Sequence, residues 1–383
     1  MLIKNGKIFT MAGKTLENGE ILIKNGKILE VGENLNYDGE EVIDVKGAWV
    51  LPGMIDAHCH VGIFEENMGF EGSDGNEMTN PITPELRAID GINPFDRSFK
   101  DAREAGITTV VTGPGSANVI GGQFVALKTY GTVIDNMILK EPVAMKIAFG
   151  ENPKRVYNGK GKAPMTRMAT AALLRETLLE TKNYIEKKEN SEKKDEFFEK
   201  KLKYQALIPV IKKEIPLKAH AHRADDILTA IRIAKEFDVN LTLDHCTEGH
   251  LIANAIKESG KNAIVGPTMT TNSKIELTNK TFETPNILTE EGVKVAIMTD
   301  HPVIPIQYLP VCASLAMKEG LDFEDALKSI TINAAEIVGI SDNVGSIEKG
   351  KDADITILSG SPFELLTKTL YTIIDGKIVY KNE

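Results

Sequence analysis

The sequence is short of cysteine, and it lacks both long apolar runs and an excess of basic residues. Cys59, Cys246 and Cys312 are the only cysteines in 383 residues and form no CxxC pair, which excludes a small disulfide scaffold. No run reaches the roughly 18 apolar residues that a membrane-spanning helix needs. With no secretory leader ahead of Met1 either, we expect a cytoplasmic protein that has no membrane partner.

The charge balance argues against nucleic acid as a partner. Lys and Arg number 45 against 55 Asp and Glu, a net charge of −10, and no basic stripe is long enough to follow a phosphate backbone. A hydrophobic fraction of 42% and a charged fraction of 26% are typical of an ordinary globular protein. We expect one large core with a smaller unit beside it.

Both ends of the chain alternate short β-type runs with turn signals. Asn5-Gly6 and Asn25-Gly26 each separate β-branched runs, as does Asp375-Gly376 near the C-terminus, and such dipeptides favour tight hairpins. We therefore predict that residues 1–52 and 342–383 together form one small β domain.

The middle of the chain, residues 53–341, changes to apolar strand-like runs separated by helical stretches. Alternation at this spacing indicates parallel strands joined by helical crossovers. A (β/α)8 TIM barrel is the predicted fold. The predicted strands include Ile107-Thr-Thr-Val-Val, Val143-Ala-Met-Lys-Ile-Ala-Phe, Leu217-Lys-Ala-His, Leu241-Thr-Leu-Asp-His, Ala263-Ile-Val-Gly and Val293-Lys-Val-Ala-Ile-Met.

Most of the seven histidines follow short apolar runs, a distribution that indicates a metal site. His58 and His60 are two residues apart on a predicted strand, so both side chains project from one face. His220, His245 and Asp300 end later predicted strands, at the edge where barrel active sites assemble. Imidazole and carboxylate ligands together suit a metal such as zinc, and a catalytic site leaves one position open for water.

These features resemble the amidohydrolase superfamily of metal-dependent hydrolases, and within it the imidazolonepropionase-related branch. The resemblance implies a β-sandwich from the terminal segments beside the barrel. It also implies metal ligands at His58 and His60 on the first strand, His220 on the fifth, His245 on the sixth and Asp300 on the eighth. The matching motifs are Pro52-Gly-Met-Ile-Asp-Ala-His-Cys-His, Gly106-Ile-Thr-Thr-Val, Thr331-Ile-Asn-Ala-Ala-Glu-Ile-Val-Gly and Gly345-Ser-Ile-Glu-Lys-Gly-Lys-Asp-Ala-Asp.

The expected activity is hydrolysis of a C–N bond in an amide or cyclic amide, with Asp300 as general acid and base. A heterocycle deaminase and a dipeptidase are the alternative enzymes. A scaffold protein without catalytic activity is an alternative from outside the enzymes. The expected cofactor is one or two divalent ions, with Zn2+ favoured and Fe2+ or Mn2+ as substitutes. The resemblance also implies a small-molecule substrate and a homo-oligomer.

A bridging ligand for a second ion has two candidates. Glu151 follows the run Val143-Ala-Met-Lys-Ile-Ala-Phe-Gly, where that strand is expected to reach the barrel mouth. Lys146, which would act as a carboxylated lysine, precedes it by about five residues, so that it would lie deeper at roughly 3.3 Å per residue. Glu151 is the preferred metal ligand, and the alternatives are that it caps the following turn or pairs with Arg155.

Substrate contacts are predicted around His222, which shares a strand face with His220. Imidazolonepropionases typically have His-Ala-Asp-Glu where this chain has His220-Ala-His-Arg, which argues against their substrate. Arg223 can clamp a substrate carboxylate, or it can pair with Asp225 or Asp226.

Three further residues complete the sequence-based set. Gln123 follows a pair of glycines that would let a loop approach the substrate. His301 can reach the site only from a loop, and its role is either structural or at the substrate rim. His250 is interpreted as a structural or supporting residue.

Overall fold

A computed structural model describes residues 1–39, 41–66 and 68–382. Its strands are β1 Leu2–Phe9, β2 Thr15–Lys24, β3 Lys27–Gly32, β4 Val42–Asp44, β5 Trp49–Pro52, β6 Met54–Cys59, β7 Ile107–Thr112, β8 Ile120–Lys128, β9 Ile138–Ala148, β10 Leu217–Ala221, β11 Leu241–His245, β12 Asn262–Val265, β13 Val295–Ile297, β14 Ile355–Leu358, β15 Thr369–Ile374 and β16 Lys377–Lys381. Its α-helices are α1 Arg97–Glu104, α2 Glu151–Asn158, α3 Arg167–Lys194, α4 Leu202–Gln205, α5 Ile208–Ile211, α6 Ala224–Phe237, α7 Ala253–Ser259, α8 Thr284–Glu291, α9 Leu309–Lys318, α10 Phe323–Ser329 and α11 Ile332–Val338. Within these residues, no helix has the length and apolar character to cross a bilayer.

The two ends of the chain form one eight-stranded sheet, in which β14 pairs with β5 and so joins the C-terminal strands to the N-terminal ones. The expected sandwich strands are thus linked by hydrogen bonds into a single sheet. Its core is rich in isoleucine, which suits the pleated surface of a strand.

Two of the three predicted hairpin turns are confirmed. Asn25-Gly26 connects β2 to β3 and Asp375-Gly376 connects β15 to β16, with positive φ at both residues of each pair. The prediction for Asn5-Gly6 is wrong, because β1 continues through these residues. Asn5 has a φ of 60° there, and the β1–β2 register shifts around Gly6, so the dipeptide forms an irregularity within the strand.

The second eight-stranded sheet runs in chain order from β6 to β13, as expected for a barrel. Its edge strands meet where the backbone N–H of Asp300 donates to His58 O (3.2 Å) and that of His60 donates to His301 O (2.8 Å). These two bonds connect the segment after β13 to the end of β6. They therefore bring Asp300 beside the His58-x-His60 pair.

The third strand of this sheet departs from the expected parallel arrangement. β8 is antiparallel to both β7 and β9, because the short segments 113–119 and 129–137 contain no crossover helix of the kind that parallel strands require. Ile120-Gly-Gly-Gln123, interpreted from the sequence as a loop, is the start of this strand.

Candidate functional site

Two groups of potential metal ligands lie at the C-terminal ends of the parallel barrel strands. The first cluster comprises His58, His60 and Asp300, whose ligand atoms all lie within 4.8 Å of one another. Asp300 Oδ1 is 3.4 Å from His58 Nε2 and 3.3 Å from His60 Nε2. The alternation of a strand places both histidines on one face, as the sequence predicted.

The second cluster comprises His220, His222 and His245, which also lie within 4.8 Å of one another by their ligand atoms. His220 and His222 come from the end of β10 and the residues after it, and His245 is the last residue of β11. The two clusters adjoin, because the rings of His58 and His245 have centroids 5.3 Å apart.

Partners behind the imidazole rings set their tautomers. His60 Nδ1 donates to Gly113 O (2.7 Å) and His245 Nδ1 donates to Gly266 O (2.9 Å). A carbonyl oxygen only accepts, so Nδ1 carries the proton and Nε2 presents a lone pair to the cavity. This is the arrangement that proteins use to orient metal-binding histidines.

A buried carboxylate orients His58 in the same way. Asp244 Oδ2 lies 2.6 Å from His58 Nδ1, and Lys218 Nζ lies 3.1 Å from the same oxygen. Burial alone would raise the pKa of Asp244, but the charge of Lys218 and the hydrogen bond with His58 outweigh it and hold that pKa below its ordinary value. The ionised Asp244 therefore keeps the Nε2 atom of His58 directed at the first cluster.

Burial also keeps the imidazoles neutral. It lowers the pKa of His58 to about 4, with the Lys146 ammonium acting in the same direction. Burial and the neighbouring His220 ring hold the pKa values of His222 and His245 well below the usual value. Neutral imidazoles are the form in which histidine binds metals.

Unpaired buried atoms show that this donor set fits a cation. In the described part of the chain, His245 Nε2 and Asp300 Oδ1 are buried without a hydrogen-bond partner, as is Oε1 of the nearby Glu276. The Nε2 lone pair of His60 faces an Asp300 oxygen 3.3 Å away, and two acceptors at that distance repel unless a positive charge lies between them. A divalent cation at the first cluster would satisfy Asp300 Oδ1, and one at the second cluster would satisfy His245 Nε2.

The backbone at two of these positions is itself unusual. His245 has a φ of 69° and Asp300 a φ of 55°, in the left-handed region that costs a non-glycine residue roughly 1–3 kcal/mol. Such conformations persist where the surrounding structure imposes them. Here they turn both side chains inward at the ends of their strands.

The two candidates for a bridging ligand occupy different places. Lys146, on β9, is fully buried, and its Nζ lies 3.3 Å from His58 Nε2; burial lowers its pKa to about 8. Glu151 belongs to neither cluster: it is the first residue of α2, beyond the end of β9 at Ala148. Its side chain lines a neighbouring pocket with Arg155.

The predicted substrate residues also differ in whether they line the cavity. His222 lines the cavity above the clusters, whereas Arg223 makes a two-point ion pair with Asp225 at 2.9 and 3.0 Å. Gln123 lies on β8, where its Nε2 donates to Pro84 O (3.2 Å). The buried His301 accepts a backbone N–H at Nδ1. The structure therefore brings only His222 of these four to the cavity.

The cavity has a volume of about 340 Å³, at the lower end of the range for small-molecule sites. Both clusters open into it. Several polar residues that sequence reasoning did not identify also line it, because they belong to no motif. They include Asn76 and Lys274 from loops and Asn152 from α2.

Comparison with known proteins decides the family. The amidohydrolase family model matches residues 49–379, which include both clusters. The chain belongs to the amidohydrolase family. The resemblance inferred from the motifs, and with it the expected class of enzyme, is confirmed.

The matches between this amidohydrolase and individual relatives cover different shares of the relatives' lengths. It is 44% identical to an amidohydrolase of solved structure from Thermotoga maritima MSB8, over 100% of both chains, with a TM-score of 0.97. It is 25% identical to an imidazolonepropionase of Fusobacterium nucleatum, covering 89% of this chain and 85% of that one. It is 25% identical to amidohydrolase tasK of Hapsidospora irregularis, covering 88% of this chain. The chain spans only 37% to 43% of the length of tasK and two further curated relatives.

Proposed function

We propose that this amidohydrolase is a metal-dependent hydrolase that cleaves the C–N bond of a small amide or cyclic amide. The observation that carries the proposal is the pair of adjoining clusters, which open into one cavity beside an Asp300 oxygen that has no hydrogen-bond partner among the described residues. The position at the C-terminal ends of barrel strands is where such folds assemble active sites.

The first cluster supplies His58, His60 and Asp300 for one divalent ion, and His220 and His245 supply ligands for a second. Imidazole and carboxylate donors together favour Zn2+, and Fe2+ or Mn2+ accept the same set. A bound ion of this kind supplies Lewis acidity, and it lowers the pKa of bound water to about 7.

Lys146 is better placed than Glu151 to act at this centre. Its amine can add CO2 with loss of a proton to form a carbamate, which converts a cation 3.3 Å from His58 Nε2 into an anionic ligand. Glu151, by contrast, lines a separate pocket. Metal content of Glu151→Gln tests the sequence-based prediction directly, since an ion count equal to the unmodified chain would exclude Glu151 as a ligand.

Asp300 has the position for proton transfer. Its Oδ1 lies 3.4 Å and 3.3 Å from the Nε2 atoms of His58 and His60, and Asp300 lines the cavity. In the proposed reaction Asp300 accepts a proton from the attacking water and delivers it to the departing nitrogen, so that one carboxylate serves both halves of the cleavage. Asp244 keeps His58 in place during both steps through their 2.6 Å contact.

The first experiment is elemental analysis of the purified chain, followed by an activity screen over cyclic amides, N-acyl amino acids and dipeptides. Amide cleavage without ammonia supports the proposal, whereas ammonia release from a heterocycle would favour a deaminase, and turnover of dipeptides alone would favour a dipeptidase. Fewer than about 0.2 ions per chain would contradict a mechanism that depends on bound metal.

Two variants test whether metal and activity depend on the site. His58→Ala is expected to lose both. Glu283→Gln should retain both, because Glu283 is exposed and belongs to neither cluster. Full activity of His58→Ala would instead support a different site.

A further inference from the structure

Lys274 is a lysine of the cavity wall whose ammonium has no hydrogen-bonded acidic partner. It lies in the segment between β12 and α8 and lines the cavity into which both clusters open. Within the described residues its only ion-pair partner is Glu276, whose Oε1 atom lies 3.7 Å from Lys274 Nζ, beyond hydrogen-bond distance. We infer that Lys274 binds a carboxylate of the substrate, so that the amide cleaved by the proposed hydrolase carries such a group near its scissile bond.

The ammonium lies close enough to the clusters to contact the same small molecule. Glu276 Oε1 is 3.7 Å from Lys274 Nζ and also 3.7 Å from His222 Nε2, so that at most two such contacts separate the ammonium from the second cluster. Both line one cavity of about 340 Å³. A molecule whose amide lies at the clusters can therefore reach Lys274 with a group only a few bonds away.

Lys274 is also the one basic side chain of the cavity wall that is free to face a substrate. Among the described residues that line the cavity, the other lysine is Lys146, and it belongs to the proposed metal centre because its Nζ lies 3.3 Å from His58 Nε2. Apolar side chains, among them Phe64 and Leu277, form other parts of the wall. The low dielectric that they provide strengthens an ion pair at Lys274.

Neighbouring basic residues are already held by hydrogen-bonded partners. Arg223 forms its two-point ion pair with Asp225, so the carboxylate contact that the sequence suggested for Arg223 falls to Lys274. Lys280 Nζ donates to Thr270 Oγ1 at 2.8 Å. That bond joins the chain on either side of Lys274 and reduces the loop motion that substrate binding would have to suppress.

A purely structural ion pair with Glu276 is the alternative role for this lysine. Glu276 is 2% exposed, and its Oε2 accepts the backbone N–H of Glu151 at 3.0 Å, beside Gly150. The carboxylate is thus fixed from behind. Lys274 is the more exposed partner, with 23% of its side chain accessible, and an ammonium can donate three hydrogen bonds. Glu276 therefore leaves donors of Lys274 for a ligand.

One ammonium already serves several carboxylates elsewhere in this chain. Lys128 Nζ lies within 3.4 Å of an oxygen of each of three aspartates, Asp352, Asp354 and Asp375. Lys274 can likewise hold Glu276 on one side and a substrate carboxylate on the other. The negative charge of Glu276 is therefore compatible with an anionic substrate.

The test compares each amide that the activity screen finds to be cleaved with a counterpart of the same skeleton that differs only in the carboxylate. Pyroglutamate with pyrrolidinone, and N-acetylalanine with N-ethylacetamide, are two such pairs, one cyclic and one open-chain. Both kcat and KM are measured for each member with the metal-loaded full chain. We expect the member with the carboxylate to have the higher kcat/KM.

Variants at Lys274 then assign that preference to its ammonium. Lys274→Met keeps the apolar stem, and it should raise KM for the carboxylate-bearing member by at least about tenfold, with kcat and the neutral member little changed. Lys274→Arg should restore most of the preference, because a guanidinium also pairs with carboxylates. Lys318→Met is the matched control and should equal the unmodified chain, because Lys318 forms a similarly loose pair, 4.0 Å from Glu319, outside the cavity wall.

The outcomes separate this inference from the proposed function on which it rests. If Lys274→Met weakens both members equally, or if the unmodified chain prefers the members without a carboxylate, Lys274 does not bind a substrate carboxylate and the proposed hydrolase stands. A lower metal content in Lys274→Met would also contradict the inference, because the lysine would then act through the metal centre. If no amide is cleaved, the proposed function fails, and this inference fails with it. A loss confined to the carboxylate-bearing member supports the assignment.

Discussion

Lys128 joins the barrel to the terminal sheet through a buried charge cluster, and removing it should destabilise the chain measurably. Its Nζ, at the end of β8, lies 2.9 Å from Asp352 Oδ2, 2.6 Å from Asp354 Oδ2 and 3.4 Å from Asp375 Oδ1. Lys128 is 6% exposed and Asp354 is 4% exposed. Within the described residues Asp354 has no other cationic partner, whereas Asp352 also pairs with Lys27.

The expected magnitude follows from the uncompensated charge. In Lys128→Met the apolar stem remains but Asp354 is left buried without a cation, a change that costs roughly 3–5 kcal/mol. An unfolding entropy of about 2.1 cal/mol/K per residue corresponds to roughly 0.8 kcal/mol/K for a chain of this length. The melting temperature should therefore fall by about 4–6 °C, measured by circular dichroism at pH 8.

The stability lost in Lys128→Met should depend on pH, with a definite sign. Burial raises the pKa of Asp354 to about 6, although Lys128 opposes this, and removing Lys128 raises that pKa further. A carboxyl whose folded pKa exceeds its unfolded value contributes stability at low pH that is lost as the pH rises through the folded pKa. The loss of melting temperature in Lys128→Met should therefore be largest near pH 8 and shrink toward pH 5, as Asp354 becomes protonated.

Two controls make this prediction refutable. Lys100→Met removes a mostly exposed lysine from an i,i+4 pair with Glu104 and should cost no more than about 1 kcal/mol. Lys128→Met combined with Asp354→Asn should recover much of the lost melting temperature, because the buried charge is gone. Equal shifts for Lys128→Met and Lys100→Met, or no recovery in the double variant, would refute the reasoning.

Two further predictions concern the site. Asp300→Asn should lower kcat by about 100-fold or more, because proton transfer is lost, while metal analysis still finds the second-cluster ion; activity near that of the unmodified chain would remove Asp300 from the mechanism. Metal uptake should rise with bicarbonate in the unmodified chain but not in Lys146→Met; an identical response in both would exclude a carbamate on Lys146.

Local patterns predicted much of the site because strand alternation depends only on neighbouring residues. His58 and His60 share a face through their two-residue spacing, and His220, His245 and Asp300 end up beside them because the C-terminal ends of parallel strands meet at one edge. The same rule explains why the structure brings His222 to the cavity. Counting residues along β9 did not place Lys146 and Glu151, because the chain turns at Gly150 and α2 begins there.

By itself, the sequence determined the strand faces, the β-rich ends, the hairpins at Asn25-Gly26 and Asp375-Gly376, and the family. Tertiary structure alone decided that Asn5-Gly6 lies within β1, that the strand carrying Gln123 is antiparallel, and that Glu276 lies beside the second cluster. The physical reason is the range of the interactions. Turn and strand preferences are local, whereas the path of a loop such as that of Glu276 depends on distant contacts, here the backbone at Gly150 and Glu151.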